Sequence, residues 1–188
     1  MNSEIKRLPV KAGWLVIKPW NMVVGCSPKC GSGSIRAAVE AEGVDWWKRA
    51  DPYDYKYRVF IIRHPLDRFD SLWRNKARDG GRLSKGGGRG MHKVIGMTPR
   101  ELFEYTKTHP NHHWTPQCVL HAGVPCRVVR LENMADFWDD MTFTKHPFPK
   151  INPTDGKVPR DEELTADIMN YYEDDYILWA QADPRAEL

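Results

Sequence analysis

The stretch 23-VVGCSPKCGSGSIR-36 decides how the rest of the chain is read. Met22, Val23 and Val24 form a β-branched apolar run that stops at Gly25. Small residues and one lysine follow, until Ile35, Ala38 and Val39 take up helical spacing. That is a strand, a loop and then a helix expected over about Ser34 to Glu42, with Gly43 as its stop. A loop so placed aims backbone N–H groups at one point, where the helix dipole and the Lys29 ammonium add positive charge. The spacing therefore predicts a cradle for a phosphate or sulfate group, against the plainer alternative of a Gly/Ser turn. A Walker A loop is disfavoured, because GxxxxGK[ST] puts lysine after its second glycine and Lys29 precedes Gly31.

A second informative stretch, 57-YRVFIIRHPLDRFDSLWRNK-76, follows. Val59 to Ile62 is a continuous apolar run, as in a strand covered on both faces of a parallel sheet. Arg63 stands at its carboxyl end, where open α/β sheets make ligand contacts. Leu66, Phe69, Leu72 and Trp73 recur at helical spacing, which sets Arg68, Ser71 and Asn75 on a different, polar face. Read singly, Arg63 is equally an ion-pair partner and Ser71 an ordinary helix residue.

Taken together, the two stretches resemble the nucleotide-binding motifs of sulfotransferases that use 3′-phosphoadenosine 5′-phosphosulfate (PAPS). Pro28, Lys29, Gly31, Ser32 and Ser34 match the 5′-phosphosulfate loop, with Gly33 where a hydroxyl residue is common. Arg63, Pro65, Arg68 and Ser71 are similar to the 3′-phosphate segment of the carbohydrate (Golgi-type, family 2-like) branch, here expected in a short soluble form. The resemblance implies that Pro28, Lys29, Cys30, Gly31, Ser32, Gly33 and Ser34 line the 5′ end and that Arg63 and Ser71 hold the 3′-phosphate. A guanidinium fork and a hydroxyl suit phosphate oxygens. In 111-NHHWTPQC-118, His113, Trp114, Pro116 and Gln117 match an acceptor-side DxHWxPQ segment, with Asn111 in place of the usual acid. His113 is then the base that deprotonates the acceptor hydroxyl, Lys29 the catalytic cation, and His112 the neighbouring substitute. A histidine that merely orders its loop is the alternative.

The implied reaction moves a sulfuryl group to an acceptor hydroxyl, on a saccharide by the same resemblance, and leaves adenosine 3′,5′-bisphosphate. PAPS is the co-substrate. No metal is expected, because a sulfuryl group carries less charge than a phosphoryl group. Two other classes stay open: a P-loop-like nucleotide-dependent phosphotransferase, and a non-catalytic module that binds a nucleotide or polyanion.

The remaining chain bounds these readings. Its 188 residues fit one domain, and a net charge of +3 is too small to imply general polyanion binding. Cys26, Cys30, Cys118 and Cys126 form no CxxC pair, so reduced, packed thiols are expected rather than zinc ligands or a disulfide framework. The amino-terminal apolar run is short and broken by Lys18 and Pro19, so neither a signal peptide nor a membrane anchor is expected, and the cytoplasm is the expected location. Trp46 and Trp47 are read as packed, with stacking on a base or sugar as the alternative.

The basic glycine-rich segment at about 77–93 reads as a surface loop, or as an acceptor lid using Arg82, Lys85, Arg89 and Lys93. It lacks the aromatic residues of a nucleic-acid site. A capping box, Thr98 to Glu101, starts a helix over 99–108 with Leu102, Phe103 and Thr106 buried. Residues 126–131 read as a strand and 161–182 as one long amphipathic helix, with Leu164, Ile168, Tyr171, Tyr172 and Trp179 inward. Arg130 and Glu132 are assigned to the fold rather than to a ligand, and Asn152-Pro153-Thr154 is no glycosylation site because of its proline. The whole chain, 1–188, is thus expected to form a single α/β domain: three P-loop-like layers, with a central, mainly parallel sheet flanked by helices.

Overall fold

A computed structural model describes residues 13–48, 51–78, 91–149 and 158–182. Lid residues Arg82, Lys85 and Arg89 and the Asn152-Pro153-Thr154 segment lie outside them, whereas Lys93 is described and exposed. Five strands make the sheet: β1 (Leu15–Ile17), β2 (Met22–Cys26), β3 (Trp47–Lys48), β4 (Tyr57–Ile62) and β5 (Arg127–Arg130), in the order β3-β1-β2-β4-β5. β2, β4 and β5 pair in parallel, whereas β1 runs antiparallel to both β2 and β3. The short turn at Lys18–Trp20 explains this reversal, since it returns the chain directly beside β1. A parallel neighbour needs a long crossover, and β2 reaches β4 only after a helix and β3.

The helices are α1 (Ser32–Ala41), α2 (Pro65–Trp73), α3 (Pro99–Thr108), α4 (Gln117–His121), α5 (Met134–Asp139), α6 (Glu162–Tyr171) and α7 (Glu173–Gln181). Alternation along the strands sends Val24, Val59, Ile61 and Val129 to one face, against Ile35, Ala38 and Val39 of α1 and Phe137 and Trp138 of α5. Val16, Val23 and Phe60 point the other way, against Leu120 and Val124. The continuous run Val59 to Ile62 is wholly buried, as a strand covered on both faces must be. A separate cluster joins α2, α3 and α6 through Phe69, Leu72, Phe103, Leu164 and Ile168.

Several local expectations hold. Thr98 and Glu101 make both hydrogen bonds of the capping box, and Leu102, Phe103 and Thr106 are buried. Gly43, at φ 69°, ends α1, with Gly43 N–H donating to Glu40 and Val44 N–H to Val39 in a Schellman arrangement. All four cysteines are free thiols.

Others are corrected. β2 does not stop at Gly25 but runs through it to Cys26. The first helix starts at Ser32 rather than Ser34, because Ile35 N–H already bonds the Gly31 carbonyl at 3.0 Å. Trp47 is 46% exposed, with the Lys18 ammonium 4.8 Å above its ring, while Trp46 is partly buried and donates to Glu40. The long carboxyl-terminal helix breaks at Tyr172 into α6 and α7, and Tyr171 is left exposed. The break lets Tyr172 turn inward, where its hydroxyl donates to the Trp114 carbonyl at 2.9 Å. Arg68 and Ser71 are buried, so the second face of α2 is a polar interior and not a surface.

Gly25 sits where β2 passes between two aromatic rings. A Cβ there would meet Phe60 at 2.6 Å and Trp14 at 2.7 Å. Gly25→Ala should cost about 1–3 kcal/mol by overpacking, read as a lower midpoint in denaturant unfolding. An unchanged midpoint would mean that the two rings move aside freely.

Candidate functional site

Parallel pairing brings the carboxyl ends of β2, β4 and β5 to one edge of the sheet, and the Lys29 loop and Arg63 leave from that edge. Residues Ser27 to Gly31 follow β2 and lead into α1. Two residues of this loop, one after Pro28 and one after Cys30, have left-handed backbone: Lys29 has φ 72° and Gly31 φ 79°. Gly31 is the N-cap of α1 and contributes no side-chain cap to the first-turn amides. A Cβ at Gly31 would strike Leu131 at 2.6 Å, whereas one at Gly33 would meet nothing within 4 Å. A side chain at residue 33 would therefore fit.

Lys29 is half-buried in a ring of positive charge. Burial, then the charges of Lys76 and Arg63, lower its pKa to about 8. Arg63, one residue past β4, donates from Nη1 to the Lys29 carbonyl at 3.2 Å. Among the described residues, no carboxylate pairs with Lys29, Arg63 or Lys76. Such a cluster concentrates positive charge at this edge of the sheet.

An anion that docks here has to keep Lys29 protonated. Its affinity is full below pH 8 and falls, by up to tenfold per unit, as pH rises above the unliganded Lys29 pKa toward that of the complex. Lys29→Arg should flatten this dependence, because guanidinium stays charged. Calorimetry across pH 7–10 reads both curves (on the order of one log unit per pH unit), and parallel slopes would remove Lys29 from contact with the anion.

His113 comes to the same place on the segment before α4. Its backbone N–H donates to Asn111 Oδ1 at 3.0 Å, so Asn111 shapes the turn. Burial first, then His112, Lys76, Lys29 and Arg68, lower the His113 pKa to about 3. The ring is therefore neutral at neutral pH, and its buried Nδ1 has no hydrogen-bond partner among the described residues. Arg68, Leu72, His113, Trp114 and Tyr172 line a cavity of about 10 Å³ behind it, roughly the space of one water. The His112 ring lies 4.0 Å away, more exposed and also lowered by burial and Lys76.

Gln117 ties this segment to the sheet. Fully buried, it accepts from the Arg63 backbone N–H at 3.0 Å and from Cys30 Sγ at 3.0 Å, and donates to the Arg63 carbonyl at 2.8 Å. Cys30 accordingly turns its side chain into the core, with its thiol pushed up to about 12 by burial, so its part in the loop is played by its backbone. Glu132 accepts from His64 N–H and Trp179 Nε1, and Arg130 donates to the carbonyls of Trp179 and Ala180. Both serve the fold, as their sequence positions suggest.

Lys29, Arg63 and His113 are thus brought together. Ser71 is buried two turns into α2, and among the described residues no hydrogen bond joins it to Lys29, Arg63 or His113. Lys76, in the π turn Arg74–Arg78 after α2, belongs to the cluster and carries no assigned role in the sequence reading. Its signal was its place at the end of the arginine-serine segment. Arg68 and Gln117 were visible as motif members, but their buried hydrogen bonds were not.

Comparison with known protein families, with characterised proteins and with solved structures returns no match to this chain. Among the described residues no helix is long and apolar enough to cross a membrane, and no three His, Cys, Asp or Glu side chains gather as a metal site.

Proposed function

We propose that the protein is a PAPS-dependent sulfotransferase built on a three-layer, P-loop-like domain and acting on a saccharide hydroxyl. One observation carries this reading: Lys29, Arg63, Lys76 and His113 converge at the carboxyl ends of β2 and β4, with no carboxylate pairing the three cations among the described residues. The resemblance of the two motifs supplies the identity of the ligand.

In the proposed reaction the acceptor oxygen attacks sulfur as the bond from sulfur to the 5′-phosphate oxygen breaks, and the electron pair leaves with adenosine 3′,5′-bisphosphate. Lys29 and the first-turn amides of α1 stabilise the departing phosphate oxygen and the sulfuryl oxygens. Arg63 and Ser71 hold the 3′-phosphate. The acceptor proton passes to His113, whose proton affinity rises once the bound anions offset Lys29, Lys76 and Arg68. In-line positioning supplies most of the remaining acceleration.

A second reading has one observation in its favour. A histidine held at a pKa of about 3 is a poor base, as in a module that binds the nucleotide without turnover. Calorimetry with adenosine 3′,5′-bisphosphate against ATP tests what both readings share, a preference for the 3′-phosphorylated ligand. Equal affinities would overturn both. Release of adenosine 3′,5′-bisphosphate from PAPS in the presence of an acceptor then separates the enzyme from the binding module.

A further inference from the structure

We infer that Arg68 is a positioning residue, which couples the Lys29 loop to the His113 segment and is locked from behind by Asp175 of α7. Arg68 is only 4% exposed and does not present its guanidinium at the surface. Its donors go to main-chain carbonyls instead. Nε donates to Pro28 at 3.3 Å, and Nη2 donates to Thr115 at 2.8 Å and His113 at 3.3 Å. Nη1 lies 3.7 Å from Oδ2 of Asp175, which is fully buried and accepts from Cys118 N–H through Oδ1 at 2.8 Å.

The consequence concerns the conformation of Lys29. A residue with a Cβ at φ 72° is in the left-handed region, which is unfavourable and persists only where its surroundings over-determine it. The two peptide planes that flank Lys29 are both held by arginines. Arg68 takes the carbonyl before it, at Pro28, and Arg63 takes its own carbonyl. The same Arg68 fork also takes the carbonyl of His113. One planar side chain therefore sets the relative placement of the two groups assigned to chemistry, and a buried carboxylate compensates its charge. Around Lys29 the charged and titratable neighbours are Lys76, Arg63, Cys30 and His113, so its pKa reports whether the loop keeps this placement.

The catalytic consequence rests on the proposed function, but the placement itself does not. Arg68→Lys keeps the charge and loses the fork. Expected are a cooperative thermal melt, adenosine 3′,5′-bisphosphate affinity within about threefold, and a kcat lower by on the order of 100-fold, as for a misplaced reacting group. The Lys29 titration, followed by pH-dependent competitive labelling and mass spectrometry, should move upward from about 8 toward 10.5. Arg130→Lys is the control, an arginine that also donates to two carbonyls but outside the cluster. A shift in Arg68→Lys and none in Arg130→Lys supports the inference. No shift, or equal shifts in both, overturns it. Should Arg68→Lys fail to fold, Asp175→Asn, which keeps an acceptor for Cys118, carries the same labelling test with the same two outcomes. Wild-type protein that fails to bind adenosine 3′,5′-bisphosphate would sink the proposed function, and labelling would still decide the role of Arg68.

Discussion

Lys29→Ala should lower sulfuryl transfer from PAPS by on the order of 10²- to 10³-fold, the usual loss when one preorganised charge-stabilising donor is removed. The expectation follows from the site's electrostatics. Lys29 is half-buried, its pKa is lowered to about 8 by burial and by Lys76 and Arg63, and no carboxylate among the described residues neutralises it. A cation so destabilised in the free protein gains most when negative charge develops beside it, and in the proposed reaction that happens as the 5′-phosphate departs. Affinity for adenosine 3′,5′-bisphosphate should change little by comparison, because Arg63 and the α1 amides remain. The measurement is a pair, turnover and product-nucleotide affinity on the same variant. Full retained turnover would remove Lys29 from the chemistry. A large loss of affinity with unchanged kcat would make it a binding residue only.

Arg63→Ala should behave in the opposite way, weakening adenosine 3′,5′-bisphosphate by about 1.5–3 kcal/mol, as for a lost hydrogen bond to a charged group. That is a factor of roughly 10 to 150 in the dissociation constant. Two contributions add here. Arg63 offers its guanidinium at the carboxyl end of β4, and it also holds the Lys29 carbonyl, so its removal loosens the loop as well as the ligand. The backbone of residue 63 should stay in place, because Gln117 grips its N–H and carbonyl independently of the side chain. Calorimetry on the variant reads the effect. A dissociation constant equal to that of the wild type would place the 3′-phosphate elsewhere.

The two experiments together separate a transferase from a binding module. Arg63 is needed in both, while Lys29 matters for rate only where sulfur is transferred.

Much of this arrangement was legible in the residues because it is local. The β-branched run before Gly25, the capping box at Thr98 and Glu101, the stop at Gly43 and the buried run Val59 to Ile62 all depend on neighbours within a few positions. The break at Tyr172 was not legible, since the helical spacing of apolar residues continues through it. At the break the Tyr172 hydroxyl reaches the Trp114 carbonyl, a contact far away in sequence. The antiparallel half of the sheet was hidden for a related reason, because strand direction follows from the connection that delivers the strand and not from its composition.

The site divides along the same line. By itself the sequence determined a strand-loop-helix with Lys29 beside glycine and serine, an arginine at the end of a buried strand, and a histidine in an aromatic and proline setting. Residue type and spacing are sufficient for that, since each is a property of one segment. Only the tertiary structure decided that Lys29, Arg63, Lys76 and His113 meet, that Ser71 is buried, that Cys30 faces the core, and that Arg68 and Asp175 stand behind them. These are consequences of burial and of charges brought close by parallel pairing at one edge of the sheet, and a low pKa on His113 or a left-handed Lys29 exists only once those segments are packed together.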